Sequence, residues 1–350
     1  MNMNQKYGKT PYPLNLPATC RQLAIKDPVP DLDTGRLKNE FFSAWPRNLG
    51  NAAAVSIVVA DKTRLCGYDV LIPLVISALA EKGIPKDRCR IFIAYGTHSR
   101  QSDDECRHAY GRAYDTCSFI HHDCSDESVF TNLGKTRANT RVRVRKDLLQ
   151  SDLIITIGAL SHHYFAGYGG GRKLLFPGLG FKNDIYDNHS LFLDRSKRVL
   201  NPHCFPGSME NNALAQDLKD VDDFITLPRI CIHGILDSNG RLCQAIIGKS
   251  YQDFVHACAK LDTFYRAAHL FKNDQCGPFG LVIASCGGFP KDINLIQAHK
   301  AMNNAAAFVR DAGNLVLLAQ CRDGVGSDTF LPYFRLGGPD KAFGELEAHY

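Results

Sequence analysis

The hydrophobic and polar positions of this chain follow two periods, one typical of buried strands and the other typical of helices. Residues 55–60, 90–94 and 152–158 are short and nearly continuous apolar runs, which predict strands buried on both faces. Residues 68–82 carry apolar side chains at helical spacing and stop at Gly83, a residue type that commonly ends helices. Strands that alternate with helices predict an α/β fold, in which mostly parallel sheets are flanked by helices.

The same patterns predict further elements on both sides of this region. Ser102 as a cap and Glu105 at the third helical position predict a helix that runs to residue 110. The turn signal at residues 237–240 predicts a β-hairpin within residues 224–248. The other predicted elements are strands at 118–122, 281–285 and 315–319 and helices at 251–268 and 295–311, while the proline-rich residues 1–50 are predicted to form loops.

The order of these elements predicts two domains, for which a chain of 350 residues is long enough. We place an N-terminal α/β domain with a hairpin insertion at residues 1–272 and a C-terminal α/β domain at residues 273–350. Each domain is predicted to contain a mostly parallel sheet flanked by helices. The active site is expected in the cleft between the two domains.

Composition and charge narrow the class of protein. Hydrophobic residues make up 45% of the chain and charged residues 22%, which is typical of globular proteins. The net charge of +5 is small. In the one basic run, residues 141–146, Arg alternates with Val, which indicates the polar side of a strand. We therefore predict no nucleic-acid partner.

The cysteines and the apolar runs indicate the cellular compartment in which the protein is expected. The 13 cysteines form no Cys-x-x-Cys pair, and Cys89, Cys231 and Cys286 fall within apolar patterns. They are predicted to be small buried side chains in a reducing compartment. The N-terminus has no apolar signal core, and the longest apolar run, residues 70–80, is too short to span a bilayer. We predict a soluble, cytoplasmic protein without a membrane partner.

The densest group of candidate functional residues follows the strand at 152–158. Two histidines, His162 and His163, precede a run of glycines that leads to Lys173. Glycine raises the entropy cost of folding, so this many glycines favour a loop whose backbone approaches a small polar ligand closely. Lys173 is preceded by Arg172 and followed by Leu174, which excludes a Walker A motif, and no long helix follows, which disfavours a standard dinucleotide site.

Ligands of open parallel sheets bind outside the carboxyl ends of the strands. Four segments reach such an edge in the predicted fold, namely residues 61–64, 96–98, 161–173 and 286–292. If they face one cleft, it contains two or three imidazoles together with Arg64 and Lys173. This set favours an anionic substrate and proton-transfer chemistry.

Each candidate also has a purely structural interpretation. These interpretations are a cap or an ion pair with Asp61 for Arg64, a backbone hydrogen bond for His98, a solvated position for one of His162 and His163, a solvent-facing amine for Lys173, and a place beside a helix cap for His189. Only their joint placement at strand ends favours a functional site.

Several motifs of the chain together resemble the lactate racemase family, whose members are nickel-pincer-nucleotide enzymes. The motifs are the string from His163 to Lys173 (HYFAGYGGGRK), Phe176-Pro177-Gly178, Asn188-His189, and the segments 61–64, 96–98 and 288–300. They occur in the family's order and span residues 50–325. The resemblance implies racemisation or epimerisation of a 2-hydroxy acid.

The resemblance also implies a role for each matching residue. Lys173 would hold the nickel-pincer nucleotide (pyridinium-3-thioamide-5-thiocarboxylic acid mononucleotide with nickel) through a thioamide bond. His189 would be the protein ligand of the nickel ion, in a square plane completed by two sulfurs and a carbon of the cofactor. His98 and His163 would be the two acid/base groups, and Phe165 would pack near the cofactor. The remaining implied contacts are Gly169, Gly170, Gly171 and Arg172 with the cofactor, and Asp61, Arg64, Gln297 and Lys300 with the substrate.

The implied chemistry explains why these residue types are needed. A racemase removes and replaces hydrogen at a carbon of low acidity. In the family's route a histidine takes the hydroxyl proton while hydride moves to the cofactor, and the 2-keto acid then receives the hydride on its other face. Histidine suits this because its unperturbed pKa of ~6.5 is close to neutral pH. The cofactor supplies the redox chemistry, so the implied partners include the enzymes that make it and insert nickel.

Three departures from the family pattern carry expectations of their own. Ser161-His162 stands where many relatives have proline, and Ile296 stands where lactate-specific members tend to have an aromatic residue. Ile296 therefore predicts a pocket for the side chain of a lactate-like substrate that differs from the pocket of the lactate-specific members. The chain ends at Tyr350, before the usual end of its relatives, so a fragment or a shortened member with an open edge on its second sheet is expected.

Two other classes of function remain open at this point. One is an oxidoreductase of hydroxy acids that uses NAD or no cofactor in the same cleft. The other is a non-catalytic carrier that binds the cofactor without turning over a 2-hydroxy acid.

Overall fold

The structure is a computed structural model, which describes residues 2–23, 26–50, 53–265, 278–326 and 331–349. These residues group into two compact units. The larger unit comprises residues 26–194 and 200–265, and the smaller one comprises residues 2–23, 195–199 and the described residues from 278 onward. The predicted domain boundary at 272/273 lies outside the described residues and stays a prediction.

The secondary structure alternates along most of the chain. The strands are β1 Asn2–Tyr7, β2 Thr10–Asn15, β3 Val55–Ala60, β4 Cys89–Ala94, β5 Ser118–His121, β6 Phe130–Lys135, β7 Arg141–Arg145, β8 Leu153–Ala159, β9 Ser161–His163, β10 Gly167–Gly169, β11 Leu193–Asp194, β12 Val199–Leu200, β13 Arg229–Leu236, β14 Leu242–Gly248, β15 Phe279–Ser285 and β16 Val309–Leu318. The helices are α1 Thr34–Ser43, α2 Tyr68–Glu81, α3 Asp103–Tyr110, α4 Ala113–Thr116, α5 Lys146–Leu149, α6 Lys182–Ser190, α7 Ala213–Asp223, α8 Tyr251–Tyr265, α9 Leu295–Ala306, α10 Leu331–Phe334 and α11 Pro339–His349. Short 3-10 turns occur at Lys62–Arg64, Lys86–Arg88, Glu127–Val129 and Gly171–Leu174.

The larger unit is built on a six-stranded sheet with the order β14-β13-β8-β3-β4-β5. All neighbouring strands are parallel except β13 and β14, which form the predicted hairpin. The middle strands are apolar along their whole length because helices cover both faces of a parallel sheet. Ile57, Ile91 and Ile155 lie side by side in this register, and none of them is exposed to solvent. The predicted α/β fold class is confirmed.

Local signals in the sequence account for the bounds of two helices. The predicted helix at 68–82 is α2, which packs Leu71, Val75 and Leu79 into the core and ends at Glu81. The predicted helix after Ser102 is α3, and both hydrogen bonds of its capping box with Glu105 are present. These two helices place the loops after β3 and β4 at the same edge of the sheet.

The chain reverses its direction of travel across this sheet between β3 and β8. From β3 it proceeds to β4 and β5 on one side, and it later adds β8 and β13 on the other side. In an open α/β sheet such a reversal opens a crevice at the carboxyl ends of the two strands. Asp61 follows β3 and Ser161 follows β8, so the candidate segments 61–64 and 161–173 both start at this crevice.

Residues 1–50 were predicted to be rich in loops, and they also contain two strands and a helix that the sequence did not predict. β1 and β2 pair as an antiparallel hairpin in which Pro11 and Pro13 stand opposite Lys6 and Asn4. Proline is tolerated in such an edge strand because its missing N–H is not needed by a further neighbour. Helix α1 also lies here, and the Asp33 side chain caps it by accepting hydrogen bonds from two backbone N–H groups. The hairpin groups with the smaller unit.

The smaller unit contains a parallel pair of strands, β15 and β16, with helix α9 packed on both. The predicted strand at 281–285 is confirmed. The predicted helix at 295–311 is too long, because α9 ends at Ala306 and β16 begins at Val309. Val309 pairs with Phe279 of β15 and the pairing resumes from Asn314 to Leu318, and this tertiary partner outweighs the local helical pattern.

Strand β7 confirms the strand predicted at the basic run, but its arginines do not simply face solvent. Arg143 donates hydrogen bonds to the fully buried carboxylate of Asp184, with a shortest distance of 2.6 Å. Arg145 pairs with Asp147 at 2.7 Å. The basic run therefore contributes ion pairs that connect β7 with α6 and α5.

Candidate functional site

Asp61 and His98 form a pair between the loops that follow β3 and β4. The Nδ1 atom of His98 lies 2.5 Å from Oδ2 of Asp61. The other oxygen of Asp61 accepts hydrogen bonds from Thr63, from its backbone N–H at 2.8 Å and from its hydroxyl at 2.6 Å. The Asp61 side chain is 3% exposed and that of His98 is 43% exposed. A buried carboxylate thus holds an imidazole that remains open to a ligand.

The charge of Asp61 determines which nitrogen of the His98 ring carries the proton. Burial raises the pKa of Asp61, but hydrogen bonds from His98 and Thr63 and the charges of His98 and Arg64 outweigh burial and lower it overall. Asp61 is therefore an anion at neutral pH and accepts a proton-bearing Nδ1 from His98. In the neutral ring the lone pair then lies on Nε2 of His98.

The glycine loop after β8 packs tightly against strand β8 and helix α8 of the larger unit. Gly170 and Gly171 both have positive φ angles, of 79° and 53°. A Cβ atom at Gly170 would lie 2.4 Å from the carbonyl oxygen of Ala159, and one at Gly171 would lie 2.6 Å from the ring of Phe254. Glycine is required here because the backbone itself contacts strand and helix. A cofactor contact by Gly169, Gly170 or Gly171 stays a prediction.

Lys173 lies in the 3-10 turn that ends this loop. Its Nζ atom is buried and has no hydrogen-bond partner among the described residues. It lies 5.8 Å from the centre of the Phe165 ring. Burial, reinforced by the charges of Arg64 and Arg172, lowers the pKa of Lys173 to about 7. A buried amine of this kind is partly neutral at physiological pH and can act as a nucleophile.

His189 lies in the last turn of α6 with its ring fixed by the helix itself. Its Nδ1 atom is 2.8 Å from the carbonyl oxygen of Ile185, one turn earlier, so Nδ1 donates and Nε2 carries the lone pair. Burial and the charge of Lys173 lower the pKa of His189 to about 3. A neutral imidazole with an oriented lone pair is the form that binds a metal ion.

Phe165 brings three of the predicted site residues together. Its ring centre is 4.6 Å from that of His163 and 5.0 Å from that of His189, both at edge-on angles. The amine of Lys173 approaches the same ring. His163, Lys173 and His189 therefore surround one aromatic side chain, as expected if Phe165 packs beside a common ligand.

The two histidines after β8 have different surroundings. Nδ1 of His163 accepts a hydrogen bond from the N–H of Ala166 at 3.2 Å, which places the proton of the neutral ring on Nε2. His162 is not the solvated residue considered above, because its Nε2 lies 2.8 Å from Oδ1 of Asp262. Tyr168 donates to the other oxygen of Asp262 at 2.8 Å. His162 is thus part of the packing of the loop.

The other predicted site residues lie in different places. Arg64 is exposed at the end of the first 3-10 turn, and its charge lowers the pKa values of Asp61 and Lys173. Arg172 turns towards α8, where its guanidinium lies 5.0 Å from the ring of Tyr251. Gln297 and Lys300 belong to α9 of the smaller unit, where Nζ of Lys300 donates to Oε1 of Gln297 at 2.9 Å. The contact of Arg172 with the cofactor stays a prediction. The same holds for the contacts of Arg64, Gln297 and Lys300 with the substrate.

Sequence reasoning missed two contacts that orient the site. In the first, both oxygens of Asp61 accept hydrogen bonds, from His98 and from Thr63, while the contact of Asp61 with substrate stays a prediction. The carbonyl of Ile185 orients His189, and its signal was the four-residue spacing within one helix. Pairing of Asp61 with His98 had no such signal, because the two residues meet only through the register of β3 and β4.

The described residues contain neither a cluster of metal-ligating side chains nor a helix that could span a membrane. In the described ranges, no group of three or more His, Cys, Asp or Glu side chains is arranged to hold a metal ion. The predicted nickel site has one protein ligand, His189, and does not need such a group. No helix within the same ranges combines the length and apolar character needed to cross a bilayer.

The chain is an α/β protein with an Asp61–His98 pair and a buried lysine, and comparisons identify its family. Residues 43–200 match the model of the lactate racemase N-terminal domain, and residues 275–342 match that of the lactate racemase C-terminal domain. The chain belongs to the lactate racemase family.

Individual relatives agree with this assignment. The chain is 26% identical to the lactate racemase of Thermoanaerobacterium thermosaccharolyticum over 282 residues, which cover 80% of the chain and 63% of that relative. It is also 26% identical to the lactate racemase of Lactiplantibacillus plantarum over 277 residues, covering 79% and 62% of the two chains. The chain thus spans less than two thirds of the length of these curated relatives.

Solved structures confirm the fold. The lactate racemase apoprotein from T. thermosaccharolyticum has a TM-score of 0.83 at 22% identity, covering all of this chain and 82% of that one. A protein from Thermotoga maritima has a TM-score of 0.60 at 17% identity, with 83% of this chain and 71% of that one covered. At these identities the likeness establishes the architecture, while the residues of the site carry any functional conclusion.

Proposed function

We propose that this protein is a racemase or epimerase of a 2-hydroxy acid that uses a nickel-pincer nucleotide attached to Lys173. The observation that carries the proposal is the cluster around Phe165, where a buried amine and a metal-competent imidazole contact the same ring. Membership of the lactate racemase family supports the proposed reaction. The proposed substrate is a lactate-like 2-hydroxy acid, and Ile296 on α9 is proposed to make the pocket for its side chain different from that of lactate-specific members.

The residues present fit the proposed cofactor. Lys173 offers an amine with no hydrogen-bond partner in the described part of the chain and a pKa of about 7, which suits a covalent bond to a carbonyl-type carbon. His189 offers an Nε2 lone pair to a metal ion, and a single imidazole completes a square-planar, sulfur-rich nickel site. When bound, the cofactor would supply reversible hydride transfer. Phe165 would form an apolar wall beside it.

His98 is the group proposed to accept the hydroxyl proton of the substrate. Asp61 holds Nδ1 of His98, so Nε2 presents a lone pair on the exposed side of the ring. The carboxylate also stabilises the imidazolium that forms when Nε2 takes up a proton. Asp61 is therefore proposed to position His98 rather than to bind substrate directly.

His163 is proposed to serve the opposite enantiomer, starting from the other tautomer. Because Ala166 donates to Nδ1, the neutral ring of His163 presents Nε2–H as a hydrogen-bond donor. It can hold the substrate oxygen in this state. To accept a proton at Nε2, the ring must release Ala166 and move its own proton to Nδ1. The two histidines are thus not equivalent before substrate binds.

Cationic and polar side chains are proposed to hold the substrate carboxylate. Arg64 is exposed and offers a guanidinium fork that matches a carboxylate. Gln297 and Lys300 are proposed to bind the same group. The enzymes that synthesise the cofactor and insert nickel are the proposed protein partners, and a cytoplasmic location stays part of the proposal.

The decisive experiment is intact mass and nickel analysis of the full chain after co-expression with a cofactor-synthesis pathway. We expect a nickel-containing adduct that peptide mapping places on Lys173 and that is lost in Lys173→Arg. Lys182→Arg, a change of the exposed lysine that begins α6, should retain the adduct. An unmodified Lys173 beside a relative that is loaded in the same host would overturn the proposal.

A second step separates an enzyme from a carrier. The loaded protein is incubated with single enantiomers of several 2-hydroxy acids, and the products are separated by chiral chromatography. We expect racemisation or epimerisation of at least one acid, and its loss in His98→Ala with the adduct retained. A loaded protein that turns over none of a broad set of acids is the result expected of a carrier.

A further inference from the structure

The larger unit contains a cavity that the proposed function does not use. Its volume is about 1030 Å³, and it lies against one face of the sheet between strands β8 and β13, the start of α8 and residues 43–47. It borders the turn Gly171–Leu174. Among the described residues that line it there are none of the four proposed functional side chains His98, His163, Lys173 and His189.

Arg172 enters this cavity as a buried cation. The residue is 8% exposed, and its guanidinium lies 5.0 Å from the ring of Tyr251 and 5.5 Å from that of Phe254. Its Nη1 atom has no hydrogen-bond partner, and no ion pair with a carboxylate forms, within the described ranges. An arginine cannot relieve burial by losing its proton at physiological pH, so a buried guanidinium that forms no ion pair is unfavourable without an anionic partner.

His233 points to the same place from the sheet. It is 1% exposed, and neither ring nitrogen has a hydrogen-bond partner in the described structure. Its ring centre is 5.7 Å from that of Phe254, the ring that also contacts Arg172. Burial lowers the pKa of His233 to about 4, so the neutral ring offers one donor and one acceptor. Two buried polar side chains with unused nitrogens therefore converge on one region.

The carboxylates that line the cavity are already engaged elsewhere. Asp222 pairs with Arg229, Asp223 pairs with Lys219 at 2.6 Å, and Asp253 accepts hydrogen bonds from the backbone N–H groups of residues 249 and 250. None of these acids forms an ion pair with Arg172. The unsatisfied groups of the cavity are therefore hydrogen-bond donors or neutral, which favours an acceptor-rich ligand.

We propose that this cavity binds a small oxyanion, a carboxylate or a phosphate, through the guanidinium of Arg172, with His233 as a second hydrogen-bond partner. A planar guanidinium binds two oxygens of such a group at once. Tyr251, Phe254 and Trp45 supply apolar contact area for the remainder of an organic anion. The proposed oxyanion site is a second site in the larger unit, and it does not depend on the proposed racemase activity.

The test uses the single tryptophan of the chain, Trp45, which lines the cavity. The full-length protein is titrated with sodium phosphate and, separately, with sodium acetate, while sodium chloride keeps the ionic strength constant. We expect a saturable change of tryptophan fluorescence with at least one anion. The anion that saturates identifies phosphate or carboxylate as the preferred chemistry.

Matched variants locate the binding. Arg172→Gln should weaken Kd at least about tenfold, the effect expected for loss of a charge-assisted hydrogen bond. Arg47→Gln removes the same charge from an exposed side chain that lines the same cavity, and it should change Kd by less than about threefold. Arg172→Lys, which keeps the charge but not the fork, provides a second variant if Arg172→Gln does not fold.

The outcomes are decisive. Weakening confined to the Arg172 variants supports the site. No saturation with either anion in the wild-type protein overturns it, and so does equal weakening by Arg172→Gln and Arg47→Gln, because the binding would then reflect general attraction of anions rather than a built site.

Discussion

Arg172 and Lys173 are neighbours in the chain, but their side chains enter different surroundings. Lys173 approaches Phe165 near His189, and Arg172 lies over Tyr251 and Phe254. Both cations are buried, and burial lowers the pKa of each. A lysine relieves this by releasing its proton, which produces a nucleophile. An arginine stays charged and needs an anion instead. Burial of a cation therefore produces two different kinds of site at these two residues.

The 3-10 turn makes this separation possible. Its tight helical path sends consecutive side chains in different directions, and the positive φ angles of Gly170 and Gly171 bring the turn against β8 and α8. The four predictions that follow compare the Lys173 side with the Arg172 side of this turn and descend in expected size.

The largest effect is expected for a change in the Asp61–His98 pair, which belongs with Lys173 to the proposed racemase site. Asp61→Asn in the loaded enzyme should lower kcat/KM for racemisation roughly 10²–10⁴-fold, because it removes the anion that orients and stabilises His98. The adduct on Lys173 should remain, which mass analysis verifies. Asp223→Asn, the same change beside the cavity of Arg172, should leave kcat/KM within about twofold. Equal losses in the two variants would contradict the assigned role of Asp61.

The next effect concerns stability and pH on the Lys173 side. The pKa of Lys173 is about 7 when folded and near 10.5 when unfolded, so between these values the unfolded chain binds more protons at this amine. The free energy of unfolding of the wild-type protein should therefore rise with pH relative to Lys173→Met, by roughly 4 kcal/mol between pH 7 and pH 10. Urea unfolding of cofactor-free protein from pH 6 to 10 measures this difference.

Lys182→Met provides the control for this prediction, because its side chain is exposed. Its difference from the wild-type protein over the same range is the baseline for the comparison. A difference for Lys173→Met that follows this baseline would mean that burial does not shift the pKa of Lys173.

A smaller effect without pH dependence is expected on the Arg172 side. Arg172→Met should raise the free energy of unfolding by about 1–3 kcal/mol in buffer that contains neither phosphate nor carboxylate, because it removes an unpaired buried charge. The gain should be the same at every pH from 6 to 10, since the guanidinium does not titrate there. Urea unfolding gives the value, and destabilisation at all pH values would indicate that Arg172 is well compensated in the folded state.

The smallest expected effect is the absence of a titration at His189. With a pKa of about 3 and Nδ1 bonded to the Ile185 carbonyl, its ring should stay neutral with the proton on Nδ1 from pH 5 to 9. Spectra of protein labelled with nitrogen-15 in its histidines report both tautomer and charge. Unperturbed histidines, whose pKa is ~6.5, titrate within this range and serve as the internal reference. Protonation of His189 near neutral pH would contradict the proposed metal-binding state.

Most of the larger unit could be predicted from the sequence because its signals are local. Continuous apolar runs predicted β3, β4 and β8, and the capping residues predicted α3. The first fifty residues could not be predicted in this way. Their hairpin has prolines in an exposed strand, and α1 depends on the Asp33 cap. The end of α9 was also wrong, since Val309 pairs with Phe279 of β15, a partner distant in sequence.

The sequence by itself determined which residue types were present at the ends of the strands and, through its motifs, the family to which the chain belongs. It could not determine where the side chains of adjacent residues point. The tertiary structure alone placed Asp61 against His98, turned Arg172 away from Lys173 and buried both cations. The physical reason is that pKa values and hydrogen-bond partners depend on burial and on neighbours distant in sequence, which only the packed sheet brings within reach.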